Sequence, residues 1–245
     1  IQAIIVIGGD GSLMGAHTLS VEWPEHVETV RKTSPEMIID EKSPLAPLLT
    51  AALYLRLGDE RLAFEAFTAH RVLFAARRQE LPPDLLVFAC ERLIAAGGEE
   101  NLTDVETWLR EWLIRNSESK QFDDELKAQV QLLLARGYFK AERYDVARAE
   151  FTTTINRYPK TPQALEAQFG IGETYVAQKV YDQALAVFER LAQSRDTEVV
   201  VRAEFLRGVV AFQRGDVDEA RDIFRAVLDR VPSIELADKA LFRLS

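Results

Sequence analysis

The sequence predicts an all-α protein, a right-handed solenoid of helical hairpins that carries a short non-repeating head made of a strand, a loop and a helix. Three observations predict it. A pattern of Ala followed four positions later by Phe recurs in the second half, at Ala147 and Phe151, Ala184 and Phe188, and Ala220 and Phe224, so the period is 37 and then 36 residues. A second small residue precedes each of these by 12 positions, at Ala135, Gly172 and Gly208, which makes every unit two amphipathic helices and a short turn. From residue 44 onward the alternation of strand and helix that a doubly wound sheet requires is missing. A fixed period of this length marks an array in which each unit buries its apolar face on its neighbours.

The composition narrows the function classes. A chain of 245 residues with 47% hydrophobic residues suits a soluble folded protein. One cysteine excludes an internal disulfide framework and a Cys-rich zinc site. A net charge of -9 and a pI near 5.0 speak against a nucleic-acid partner, which calls for a basic stripe. No stretch approaches the roughly 18 apolar residues of a membrane span. The charge is uneven: residues 121–245 hold 18 Lys and Arg against 20 Asp and Glu, which leaves 12 against 19 for residues 1–120. IQAIIVI at the start lacks the basic leader and cleavage site of a signal peptide. A start at Ile1 instead of Met leaves room for an upstream segment, and the compartment stays open between cytoplasm and periplasm.

The head spans residues 1–43. IQAIIVIGGDGSLMGAHTLS reads as a buried strand over Ala3 to Ile7, a glycine turn over Gly8 to Gly11 and a helix starting at Ser12. Backbone N–H groups of such a turn, together with a helix N-terminus, make an anion site. The segment IGGDGSLMGA resembles the nucleotide-binding motif of phosphofructokinases, with a faint continuation through Glu22, Trp23 and Pro24. The resemblance implies that Gly9, Asp10, Gly11 and Ser12 would sit at the phosphates and magnesium of Mg-ATP, and that the activity would be ATP-dependent phosphoryl transfer. The later sequence departs from that family. MIIDEKSP lacks the Asp-rich form of its catalytic loop, and one strand cannot satisfy its own edges. The head is therefore expected to be an inert fragment or fusion, with strand addition to a partner sheet as an alternative. No catalytic residue and no cofactor are expected.

Residues 44–120 carry the hairpin grammar in degenerate form. In LLTAALYLRLGDERLAFEAFTAHRVLF, Ala51, the turn glycine Gly58, Ala63 and Phe67 keep the register of the later units. A second helix pair is expected around Gly97 and Gly98, with Leu102, Val105, Trp108, Leu109 and Trp112 on one stripe. Trp108 and Trp112 read as core, with an exposed binding ridge as the other possibility. Cys90 lies on an apolar face with nothing to lower its pKa, so it reads as an inert core thiol. His17, His26 and His70 have no metal-ligand spacing.

Residues 121–245 are the regular repeats. A small residue in one helix and an Ala in the next let two antiparallel helices approach closely, and the Phe one turn later fills the space beside the crossing. Pro159 and Pro232 follow second helices, and Thr161–Pro162 restarts a first helix. This order of small residue, aromatic, Ala, Phe and terminal Pro resembles tetratricopeptide repeats, with a period two or three residues above the usual one and no Trp early in the first helix. RYPKTPQALEAQFGIGETY is similar to the branch found in bacterial envelope and assembly proteins. The final IELADKALFRL reads as the first helix of a further unit, whose apolar end face offers a route to homo-oligomers.

The function expected of such an array is to hold a protein or peptide partner, without chemistry of its own, in a concave groove lined by the first helices. Groove positions fall three before, one after and four after the small crossing residue. They are Leu132, Arg136 and Phe139, then Phe169, Glu173 and Val176, then Phe205, Val209 and Phe212, with Arg202 beside them. On this reading four Phe form an open stripe of anchors, and removing Phe169 or Phe205 weakens partner binding without lowering stability. Packing against the next repeat is the competing explanation of the stripe.

Overall fold

The computed structural model describes residues 5–7, 38–40 and 46–230. In the head, the strand expected over Ala3 to Ile7 is seen as β1, Ile5–Ile7. Its neighbour β2, Ile38–Asp40, lies parallel to it with Ile5 opposite Ile38 and Ile7 opposite Asp40. IID of the MIIDEKSP segment thus supplies a strand. The loop Gly8 to Ser12, the helix expected after it and the final IELADKALFRL lie outside the described residues.

The chain divides into two compact units, Ile1–Ala96 and Gly97–Ser245. The helices of the first are α1 (Ala46–Arg56), α2 (Glu60–Ala69), α3 (Arg71–Ala76) and α4 (Pro83–Ala96), with a 3-10 turn at Arg78–Glu80. Asp59 caps α2 by accepting the Leu62 N–H at 2.9 Å. Ala51 and Ala63 are fully buried in the α1–α2 hairpin, as their spacing predicts. The second helix does not run on through Phe74. It ends at His70, whose N–H bonds to the Phe67 carbonyl, and the break brings Phe74 edge-on to Phe67 at 5.1 Å, both rings buried. Arg92 pairs with Glu60 and ties α4 to α2. Cys90 is buried on α4 among Leu86, Ala89 and Leu93 and forms no disulfide.

The second unit holds α5 (Glu99–Asn116) and three hairpins: α6 with α7 (Asp124–Lys140, Tyr144–Arg157), α8 with α9 (Pro162–Ala177, Tyr181–Leu191) and α10 with α11 (Thr197–Arg214, Val217–Arg230). Trp108 and Trp112 are core residues of α5. Two of the three regular hairpins are closed by a Phe on the crossing glycine. A Cβ placed on Gly208 would lie 2.6 Å from Phe224 Cε1, and one on Gly172 would collide with the Phe188 ring, so the missing side chain is what admits the ring. Phe151 differs: its ring lies against Gly170 of the next hairpin, where a Cβ would come within 2.5 Å. It therefore joins two successive hairpins. Thr161 caps α8 with Pro162 in the first turn, and the Thr161 hydroxyl donates to the Tyr158 carbonyl at 2.8 Å.

The turns obey a rule of their own. Seven residues after the small crossing residue the backbone is left-handed: Glu142 at φ 59°, Lys179 at φ 60° and Gly215 at φ 97°, and likewise Gly58 at φ 79° in the first unit. The first helices α6 and α8 lie directly against one another, whereas α7 and α9 have little contact, so these two hairpins curve with their first helices inside. Between α8 and α10 the direct approach is looser, and long side chains span it.

Candidate functional site: the first-helix face of the second unit

The period of 36 to 37 residues returns equivalent positions to the same face of successive first helices. One position after the crossing residue stand Arg136 on α6 and Glu173 on α8; six before it stand Glu166 on α8 and Arg202 on α10. The structure joins these four. Glu166 accepts from Arg202 Nη1 at 2.5 Å and Nη2 at 3.2 Å, and from Arg136 Nη2 at 3.3 Å. One carboxylate thereby links three first helices. Arg202 Nη2 also lies 3.9 Å from Glu173 Oε1. The Arg202 guanidinium stands 4.0 Å above the centre of the Phe169 ring, a cation–π contact that fixes the plane of its donor fork. Burial pushes the Glu173 carboxyl above its ordinary range; Arg202 and Arg136 pull it down and Glu166 pushes it up.

The ten residues expected in the groove separate into layers. Leu132, Phe169, Phe205 and Val209 are buried. Phe139, Glu173, Val176 and Arg202 are half-buried, while Arg136 and Phe212 are exposed. The open stripe of four Phe is therefore corrected. Phe169, 1% exposed, packs in one cluster with Phe188 of its own hairpin and with Val199, Ala203 and Val210 of the next first helix. Phe205 packs against Phe224 at 5.5 Å, among Val201, Ala220 and Val227. The Phe169 ring points into the junction with the next hairpin, and Arg202 of that hairpin lies across it, whereas Phe205 packs within its own hairpin. What faces outward is the charged layer above the rings; at the turn end of the helices Phe212 is exposed, while half-buried Val176 packs against the Phe169 cluster and half-buried Phe139 against Tyr144.

Glu166 is the residue that sequence reasoning missed. Its signal was present, since it stands six positions before Gly172 as Arg202 stands six before Gly208. Gly9, Asp10, Gly11 and Ser12, the phosphate-loop candidates, lie outside the described residues. Among the described residues no three His, Cys, Asp or Glu side chains come together as a metal site, and no helix is long and apolar enough to cross a membrane.

A second concavity, of about 510 Å³, opens between α5 and the end of α6, lined in part by Leu102, Val105, Glu106, Leu134, Tyr138 and Arg143. The Tyr138 hydroxyl donates to Glu106 Oε1 at 2.8 Å and accepts from Arg110 Nε at 2.6 Å, while Arg143 Nη1 donates to Glu106 Oε2 at 2.6 Å. Burial pushes the Tyr138 phenol up, the Arg110 hydrogen bond pulls it down and Glu106 pushes it up. These groups are spent on one another, so the network locks α5 onto α6.

The hairpin geometry, with Phe188 and Phe224 each seated on the crossing glycine of its own hairpin and Phe151 on Gly170 of the next, defines a class of helical-repeat protein. Residues 132–199 and 177–233 match the family described as tetratricopeptide repeat, from within α6 to just beyond α11. Among solved structures, the chain is similar to one in the crystal structure of the APC/C hetero-tetramer Cut9–Hcn1, at 17% identity and a TM-score of 0.49. The alignment covers 94% of this chain and 41% of that one, so the chain spans less than half of that protein's length. No curated protein matches it in sequence.

Proposed function

We propose that the chain is a protein–protein interaction scaffold that receives an extended peptide or a partner helix on the inner face of α6, α8 and α10, and that it performs no chemistry of its own. One observation carries the reading. Arg136, Glu166, Arg202 and Glu173 join three successive first helices, yet their side chains keep between 32% and 49% of their surface open. Exposed ion pairs contribute little to stability, about 0.2–1 kcal/mol each, so the network's value lies in holding polar groups in register above a packed apolar floor. Phe139, Val176 and Phe212 add an apolar edge at regular intervals, the mixture of anchor and polar rim that interfaces use.

The test is selection of a displayed random-peptide library on the full chain, followed by binding of the enriched peptides to variants. Val176→Ser and Phe212→Ser should weaken binding by about tenfold or more, equivalent to about 1.4 kcal/mol, while the thermal midpoint stays within a few degrees. Enriched peptides that bind these variants as well as the wild type would place the interaction elsewhere on the molecule.

A further inference from the structure

The charged residues of this face are unequally satisfied. Glu166 takes three N–H groups from Arg136 and Arg202, whereas among the described residues none donates a hydrogen bond to Glu173. Its nearest cation, Arg202 Nη2, stands at 3.9 Å, beyond hydrogen-bond reach. That guanidinium is already held by both oxygens of Glu166 and lies on the Phe169 ring, so it cannot swing to Glu173 without leaving both. Arg136 is drawn to Glu166 in the same way. A carboxylate can accept about four hydrogen bonds, and 43% of the Glu173 side chain remains exposed. Burial pushing this carboxyl upward agrees with an anion that its neighbours compensate only in part. An acidic ligand would meet the reverse situation: both cations of the network are engaged, and two carboxylates would repel it.

Resting on the groove reading above, we infer that Glu173 determines specificity on this face and that the partner is a protein segment presenting a Lys or Arg side chain to it, with an apolar residue alongside for Val176 and Phe212. Residues 121–245 are nearly neutral, with 18 basic against 20 acidic residues. The selection is therefore a local pairing at Glu173, without long-range steering by the field of the repeats.

The test sequences the peptides enriched from a displayed random library on the wild-type chain, on Glu173→Gln and on Glu173→Lys, with circular dichroism confirming that each variant is folded. On the wild type, Lys or Arg should dominate one position at a constant distance from an apolar residue. That preference should vanish on Glu173→Gln and change to Asp or Glu on Glu173→Lys. A synthetic peptide of the wild-type consensus, followed by fluorescence anisotropy, should lose about tenfold in affinity for Glu173→Gln and keep its affinity for Glu65→Gln, which changes an exposed carboxylate of the first unit. Enriched peptides without a basic residue, or a basic preference that survives Glu173→Gln, overturn the inference and leave the groove standing. No enrichment at all, or peptides indifferent to Val176→Ser and Phe212→Ser, overturns the groove itself.

Discussion

Replacing Gly208 by Ala sets two physical effects against each other. In a helix interior, Gly→Ala should stabilise by about 0.8–1.0 kcal/mol through helix propensity alone. Here the added Cβ would lie 2.6 Å from Cε1, 2.9 Å from Cδ1 and 3.1 Å from Cζ of Phe224, where two carbons at rest sit about 3.5–4.0 Å apart. The ring cannot simply move aside. It is 1% exposed and held between Phe205 and Val227. Overpacking of this kind costs about 1–3 kcal/mol, so the net expectation is a loss of about 1 kcal/mol, between zero and two. Urea unfolding followed by far-UV circular dichroism measures it, and hydrogen exchange should place the loss in α10 and α11, since repeat arrays open locally. Phe224→Leu should cost less in the Gly208→Ala background than in the wild type, with a coupling of at least about 0.5 kcal/mol. A Gly208→Ala protein that is more stable by the full propensity gain, or a double variant with additive losses, would refute the close-approach argument.

Three further outcomes follow from the same geometry. Phe169→Ala should destabilise by about 3–5 kcal/mol, the range for a buried Phe, in a denaturation midpoint; a change below about 1 kcal/mol would return Phe169 to the groove surface. Glu142→Gly and Lys179→Gly should each stabilise by about 1 kcal/mol, because these residues hold a left-handed backbone that disfavours a side chain; unchanged urea midpoints would contradict the turn assignment. For Glu173 the folded-state carboxyl is raised, so the ionised form costs stability at neutral pH and protonation relieves that cost as pH falls through the raised value. Glu173→Gln should therefore unfold at slightly higher urea than the wild type near pH 7, with the difference shrinking toward pH 4. A variant less stable at pH 7 than at pH 4, relative to the wild type, would reverse the sign.

The parts of this fold that were legible in the sequence depend on a residue and its near neighbours. A small residue, an Ala 12 positions on and a Phe four later are enough to state a hairpin, and Thr161–Pro162 to state where a helix begins. The period extends that local grammar along the chain, because each unit buries its face on the next. The break at His70 was not legible, since it follows from seating Phe74 against Phe67. Nor was the left-handed turn at Glu142 and Lys179, where two of the four equivalent positions carry a side chain instead of glycine.

The candidate face shows the same division. Periodicity brought Arg136, Glu173 and Arg202 to one side of three helices, a property of helical geometry alone. Whether Phe169 lies above or below that surface depends on how far the next hairpin stands off, and only the tertiary structure sets that distance. It buries Phe169 under the next first helix and Phe205 against Phe224 of its own hairpin, lays Arg202 across Phe169 and makes Glu166 the shared acceptor of two arginines. Spacing along a chain determines which residues share a face; the packing of one repeat on the next decides which of them still meet solvent, because burial belongs to the pair of surfaces and not to either sequence segment alone.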